Sequence, residues 1–287
     1  MTIVPQLIVN SLFAGSVYAL MAMSFTLIFG ATKFFNFVHG SFTVIGGYAV
    51  FYLVERLAWP IYIAIILSII VAGGVGFILD KTVNLPLRKK KSTNTVKLVA
   101  SLGLFIVIQA FVAILFTSQF QTLSNTIEQK IYQIGSAVFT QTQAVMFVSA
   151  IVVFFGIMLL LKFTLFGKAV NALSDDEEVA KIVGINTDKI ISYVFFIGAA
   201  ISGWVGILVA YDTGIEPTMG LGALLKGIIA AVVGGMGSVP GAFLGAFLLG
   251  FAENFGIWKI NGEWKDAIAF GLLIIFLLFR PQGIIKK

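Results

Sequence analysis

Three ionisable side chains stand inside stretches otherwise fit for lipid: His39, the only histidine among 287 residues, Lys226 and Glu253. A carboxylate at membrane depth is a functional candidate because hydrocarbon cannot solvate its charge. Glu253, followed by Asn254, lies late in its apolar block, so the sequence leaves open a buried site and a solvated position near the surface. His39 has no carboxylate or second nitrogen ligand close by, which favours a hydrogen-bonded packing role over a proton relay. Asn36 and His39 are spaced i, i+3, a helix-face spacing that with Gly40 would give a pore a few polar contacts. Covalent and nucleotide chemistry lack their motifs. There is no cysteine for a thiolate, disulfide or metal site. Gly167-Lys168 is followed by Ala169, so no phosphate loop is present, and neither His-Glu-x-x-His nor Gly-x-Ser-x-Gly occurs. No residue reads as catalytic and none as a metal ligand.

The densest polar segment, 162–189, lies between two long apolar blocks. Ser174-Asp175-Asp176-Glu177 has capping-box spacing, with Ser174 expected to cap the amide of Glu177. The acids Asp175, Asp176, Glu177 and Glu178 would then fill a first turn, where they complement the positive end of the helix dipole. Val179, Ile182 and Val183 form an apolar stripe around Ala180. Gly184 ends the helix. After Ile185, Asn186-Thr187-Asp188 supplies N-cap candidates for the next apolar run. This short helix either packs its stripe on the bundle or offers it to a partner that pushes on both flanking spans.

A second segment, Gly234-Gly235-Met236-Gly237-Ser238-Val239-Pro240-Gly241, predicts a tight turn with Pro240 in the first turn of the following helix. Gly241 and Gly245 make a small-xxx-small face for close helix packing. Gly235, Gly237 and Gly241 are also candidate gating hinges.

The elements that position these residues are read from composition. Apolar residues make up 59% of the chain and charged ones 11%, against about 45–50% and about 25% in soluble domains. So few charges cannot clothe a water-soluble surface. The apolar blocks fall near 6–30, 34–54, 60–79, 97–117, 143–161, 189–211, 217–236, 240–257 and 265–280, each near the length that crosses a bilayer as helix. The expected fold is an all-α integral membrane protein, a polytopic bundle of eight to nine spans. Blocks 34–54 and 217–236 are candidates for broken or re-entrant segments.

Basic residues set the orientation. Connections 80–97 and 162–189 hold ten lysines and arginines, and placing both inside puts fourteen of nineteen basic residues on the cytoplasmic side, including Lys286 and Lys287. The net charge of +6 thus reports topology and does not imply nucleic acid. Segment 118–142, with Gln119, Gln121, Asn125, Gln129 and Gln133, becomes an external loop able to carry a short surface helix.

Three stretches carry a family resemblance. They are Leu165-Phe166-Gly167-Lys168-Ala169 with Asp176 to Asn186; Ser16-Val17-Tyr18-Ala19-Leu20 with Asn36-Phe37-Val38-His39-Gly40; and Gly234 to Ala242. In order and spacing the chain resembles a LivH-type permease subunit of the branched-chain amino acid ABC importer family over almost its whole length. The resemblance implies a single permease domain, 1–287, in a bacterial or archaeal cytoplasmic (inner) membrane, with a cytoplasmic coupling loop at 162–189. It implies a second, LivM-like permease, two cytoplasmic ABC ATPases and an extracytoplasmic solute-binding protein as partners. It also implies no cofactor in this chain, ATP being used by the partner subunits. Branched-chain amino acids are the expected cargo, with urea or short amides as the alternative and a stand-alone secondary transporter further off. Four consecutive acids at 175–178, and no arginine in the coupling helix, depart from the usual pattern.

Overall fold

Each of the nine apolar blocks forms a helix. The computed structural model describes residues 3–123 and 130–285. The helices are α1 (Ile3–Thr32), α2 (His39–Phe51), α3 (Ile61–Leu79), α4 (Leu85–Lys89), α5 (Asn94–Phe116), α6 (Gln141–Phe163), α7 (Leu165–Asp175), α8 (Glu177–Ile182), α9 (Thr187–Asp212), α10 (Met219–Gly234), α11 (Val239–Gly256) and α12 (Lys265–Phe279). Among the described residues six helical stretches are long and apolar enough to cross a membrane, and Met219–Gly234 is a shorter apolar helix. α2 is also short as an α-helix but continues without a break into a π turn, Tyr52–Arg56. Asn125, Gln129, Lys286 and Lys287 lie outside the described residues.

The connection 80–97 is largely helical. α3 runs on through a π turn, Asp80–Asn84, into α4, giving 29 continuous helical residues, Ile61–Lys89. The reason is that Asp80 and Arg88 pair with each other and need no water to hold their charges. Segment 118–142, read as able to carry a short surface helix, carries a β-hairpin instead: β1 (Ile131–Ile134) pairs antiparallel with β2 (Ala137–Thr140). Its strands are rich in β-branched and aromatic residues, and Gly135 supplies the positive φ, +62°, that a two-residue hairpin loop favours.

The chain divides into two compact units. One comprises Leu27–Thr126 and Met158–Leu224. Its centre is the mutual packing of α2, α3 and α9. Small residues allow it: a Cβ on Gly46 of α2 would fall 2.5 Å from the Gly203 Cα of α9, so the two backbones touch. α5 joins α2 around Phe42, Tyr48 and Val112. The other unit comprises Met1–Thr26, Ile127–Ile157 and Leu225–Lys287. There α11 packs against α12, while Phe243 and Phe247 of α11 meet Phe154 and Phe147 of α6. In that unit the hairpin is fastened to α1 by Gln6, whose carboxamide donates to the Val138 carbonyl (3.0 Å) and accepts from the Val138 amide (2.8 Å).

Candidate functional site

The surface element between α6 and α9 is built from two short helices and three caps. Thr164 caps α7, its hydroxyl accepting from the Gly167 amide at 2.9 Å. Gly167 lets α7 fold back on the end of α6, because a Cβ there would lie 2.5 Å from the Leu161 Cα. α7 then buries Val170 and Leu173 against Leu27, Ile28, Ile191 and Val194. Ser174 is the penultimate residue of α7 and is buried. The expected box at Ser174 therefore does not form. Asp176, in extended conformation, breaks the chain between α7 and α8, and its Oδ1 accepts from the amides of Glu178 (2.8 Å) and Val179 (3.0 Å). Cap chemistry was legible, but Ser174 and Asp176 compete within one turn, and burial of the α7 face decides for Asp176.

α8 presents two faces. Ala180 is buried, whereas Val179, Ile182 and Val183 are 54%, 82% and 68% exposed. Three apolar side chains on one small helix and its C-cap, turned away from the chain, are unusual in a well-packed surface. Glu177 and Lys181 pair alongside at 2.6 Å, and Glu178 is exposed. Gly184 ends the helix at φ +86°, as expected. The Ile185 amide returns to the Ala180 carbonyl (3.0 Å), and Asn186 caps α9 through the Lys189 amide (3.1 Å). Four residues, Val183 to Asn186, thus separate α8 from the start of α9.

That start is held by a polar cluster which sequence reasoning missed. Arg88 donates to Asp80 (2.6 and 3.3 Å) and lies 3.7 Å from Asp188, while the Ser192 hydroxyl donates to Asp80 (2.8 Å). Asp80 is fully buried. The cluster joins the first turn of α9 to the α3–α4 helix. Its only sequence signal is an acid at the end of an apolar block with an arginine eight residues on.

The predicted pore contacts fare differently. α2 begins at His39, so Asn36 precedes the helix and the two do not share a helix face. Asn36 uses its Oδ1 to accept from the Val38 amide, 3.0 Å, and so shapes the entry to α2. His39 Nε2 lies 2.7 Å from the Ser202 hydroxyl on α9. Gly40 abuts Gly220, where a Cβ would meet the Gly220 carbonyl oxygen at 2.7 Å. All three are buried; His39 joins α2 to α9 and Gly40 lets α2 approach the start of α10.

In the other unit Glu253 is fully buried. It accepts from the Tyr18 hydroxyl at 2.7 Å and pairs with Lys226, whose ammonium also lies 2.8 Å from Asp266. Four helices, α1, α10, α11 and α12, thus meet on one carboxylate and one ammonium. The open question over Glu253 resolves to burial. At the other end of α10, Gly235 and Gly237 take φ of +114° and +86°, Ser238 caps α11 through the Gly241 amide (3.2 Å), and Gly241 packs directly on Gly234. The tail closes this turn, the amides of Ile284 and Ile285 donating to the carbonyls of Val233 (3.0 Å) and Gly234 (2.9 Å). Among the described residues no group of three or more His, Cys, Asp and Glu side chains is arranged to hold a metal.

Comparison with known proteins gives this arrangement its context. Residues 7–277 match the family described as branched-chain amino acid transport system, permease component. The chain belongs to this permease family. It is 34% identical to the high-affinity branched-chain amino acid transport system permease protein BraD of Pseudomonas aeruginosa, over 98% of this chain and 95% of that one. It is 31% identical to the corresponding LivH of Escherichia coli K12 over the same shares. The permease also resembles in fold a chain in the structure of PsaBC from Streptococcus pneumoniae in complex with Fab, with a TM-score of 0.53 at 14% identity, covering 95% of this chain and 91% of that chain. It is thus a multi-pass membrane protein and a transport subunit, and its relatives are permeases rather than enzymes.

Proposed function

We propose that the permease works as one half of the translocation path of an ATP-driven importer for branched-chain amino acids. In this reading a second, LivM-like permease completes the path, two ABC ATPases dock on the cytoplasmic side, and an extracytoplasmic binding protein selects and delivers the solute. The single domain, 1–287, lies in the cytoplasmic (inner) membrane, with segment 162–189 inside. No cofactor is held by this chain, and ATP is consumed by the partners.

The observation that carries the reading is α8: a capped helix with an exposed apolar stripe, joined by four residues to the start of α9. An apolar stripe of this kind is suited to an ATPase groove, by the helix-in-groove mode of recognition. Asp176 acts as the cap that sets its angle, Glu177, Glu178 and Ala180 shape its first turns, and Gly184, Ile185 and Asn186 couple it to α9. Gly235, Gly237 and Gly241 are the candidate hinge at the α10–α11 turn. Glu253 holds helices together rather than touching solute.

The test is uptake by the complete complex reconstituted in liposomes with its cognate binding protein. Leucine, isoleucine or valine should be taken up with ATP hydrolysis, and the permease alone should hydrolyse none. Uptake of urea or short amides instead would replace the substrate reading, and uptake without the ATPases would overturn the importer.

A further inference from the structure

One group of cations in the Leu27–Thr126 and Met158–Leu224 unit has no part in the coupling reading. Lys81 lies in the π turn after α3, and Lys89, Lys90 and Lys91 close α4 and the turn into α5. All four are exposed. Their neighbour Arg88 turns inward and takes the two nearby carboxylates, Asp80 and Asp188. Among the described residues no carboxylate lies in salt-bridge reach of the four lysines. The positive charge is therefore concentrated and uncompensated.

We propose that these four lysines bind the headgroups of anionic phospholipids. The surroundings select this ligand. Ile78 near the end of α3, and Val96, Val99 and Leu102 along α5, are exposed apolar side chains within three turns of the lysines. In a multi-pass membrane protein such helix faces meet acyl chains. Apolar faces that end at a cation cluster match the two parts of a phospholipid, tails along the helices and phosphate at the ammonium groups. Lys81 stands at the boundary between the two, its ammonium 4.4 Å from the ring centre of Phe77 one turn back along α3. A soluble polyanion would gain nothing from that apolar margin. The inference requires only that the chain spans a bilayer and does not rest on the importer reading.

Each juxtamembrane lysine strengthens attachment to an anionic surface roughly fivefold. The full-length chain, purified in mild detergent, is offered phosphatidylglycerol and phosphatidylcholine of equal chain length, and bound lipid is counted by native mass spectrometry. Phosphatidylglycerol should be retained in preference, less so as salt rises. The preference should fall at least about tenfold in K89Q/K90Q/K91Q and survive in K89R/K90R/K91R and in the control K259Q/K265Q. An undiminished preference for phosphatidylglycerol in the glutamine triple variant overturns the proposal. So does a variant that keeps its lipid preference but no longer co-purifies with ATPase subunits, which would assign the surface to a protein. Should the triple variant fail to fold, Lys90→Glu in the exposed turn is read in the same way.

Discussion

Glu253 of α11 and Lys226 of α10 form an ion pair in which the carboxylate has no solvent-exposed surface. The lysine is also held by Asp266, which is largely exposed, so the charges run from the interior of this unit to its surface. Breaking one side of such a pair leaves the other charge buried without a partner.

Lys226→Met should therefore destabilise the permease by about 3–5 kcal/mol, and Glu253→Gln by less, because the amide keeps an acceptor for Tyr18 and Lys226 retains Asp266. The double variant should recover much of the loss. Thermal or denaturant unfolding in detergent supplies the cycle, and strictly additive losses would mean that the two residues do not act as a pair.

Asp176→Ala removes the cap of α8 and should cost about 1 kcal/mol. Since α8 has only six residues, its functional consequence should exceed that figure: ATPase stimulation by the loaded binding protein should drop while the chain still inserts. Asp176→Asn, which retains a capping oxygen, should behave like the wild type.

Ile182→Asp alters an exposed side chain and should change the stability of the isolated permease by no more than about 0.5 kcal/mol. Co-purification with the ATPase subunits should nevertheless be lost. Intact association in this variant would remove α8 from the interface.

Gly235→Ala places a Cβ at φ +114°, against the carbonyl of Gln282 at 3.1 Å and that of Ile285. Backbone strain of about 1–3 kcal/mol is expected, together with release of the tail from Val233 and Gly234. Transport should fall more than membrane insertion; faster hydrogen exchange at the Ile284 amide would report the release.

The helices of the nine apolar blocks were legible because each is encoded by a local surplus of apolar residues that only a bilayer or a helical bundle can absorb. The cap at Asn186, the stop at Gly184 and Pro240 in the first turn of α11 were legible for the same reason, since their chemistry is settled within four residues. What was not legible depends on distant partners. Asp80 can stay in a helix only because Arg88 and Ser192 meet its oxygens. The β-hairpin depends on cross-strand pairing, and α2 begins after Asn36 because that side chain turns back to the Val38 amide. Glu253 could be marked as important but not placed, because Tyr18 lies 235 positions away along the chain.

Gln6 finishes the hairpin as a strand would, offering Val138 one donor and one acceptor from a side chain in the first turns of α1. The open edge of β2 is thereby closed at that rung against pairing with another chain. The same pair of bonds makes the Val138 amide a built-in gauge of α1: any motion that draws the helix away exposes this one proton to water, and deuterium uptake there times the motion without a label attached to the protein.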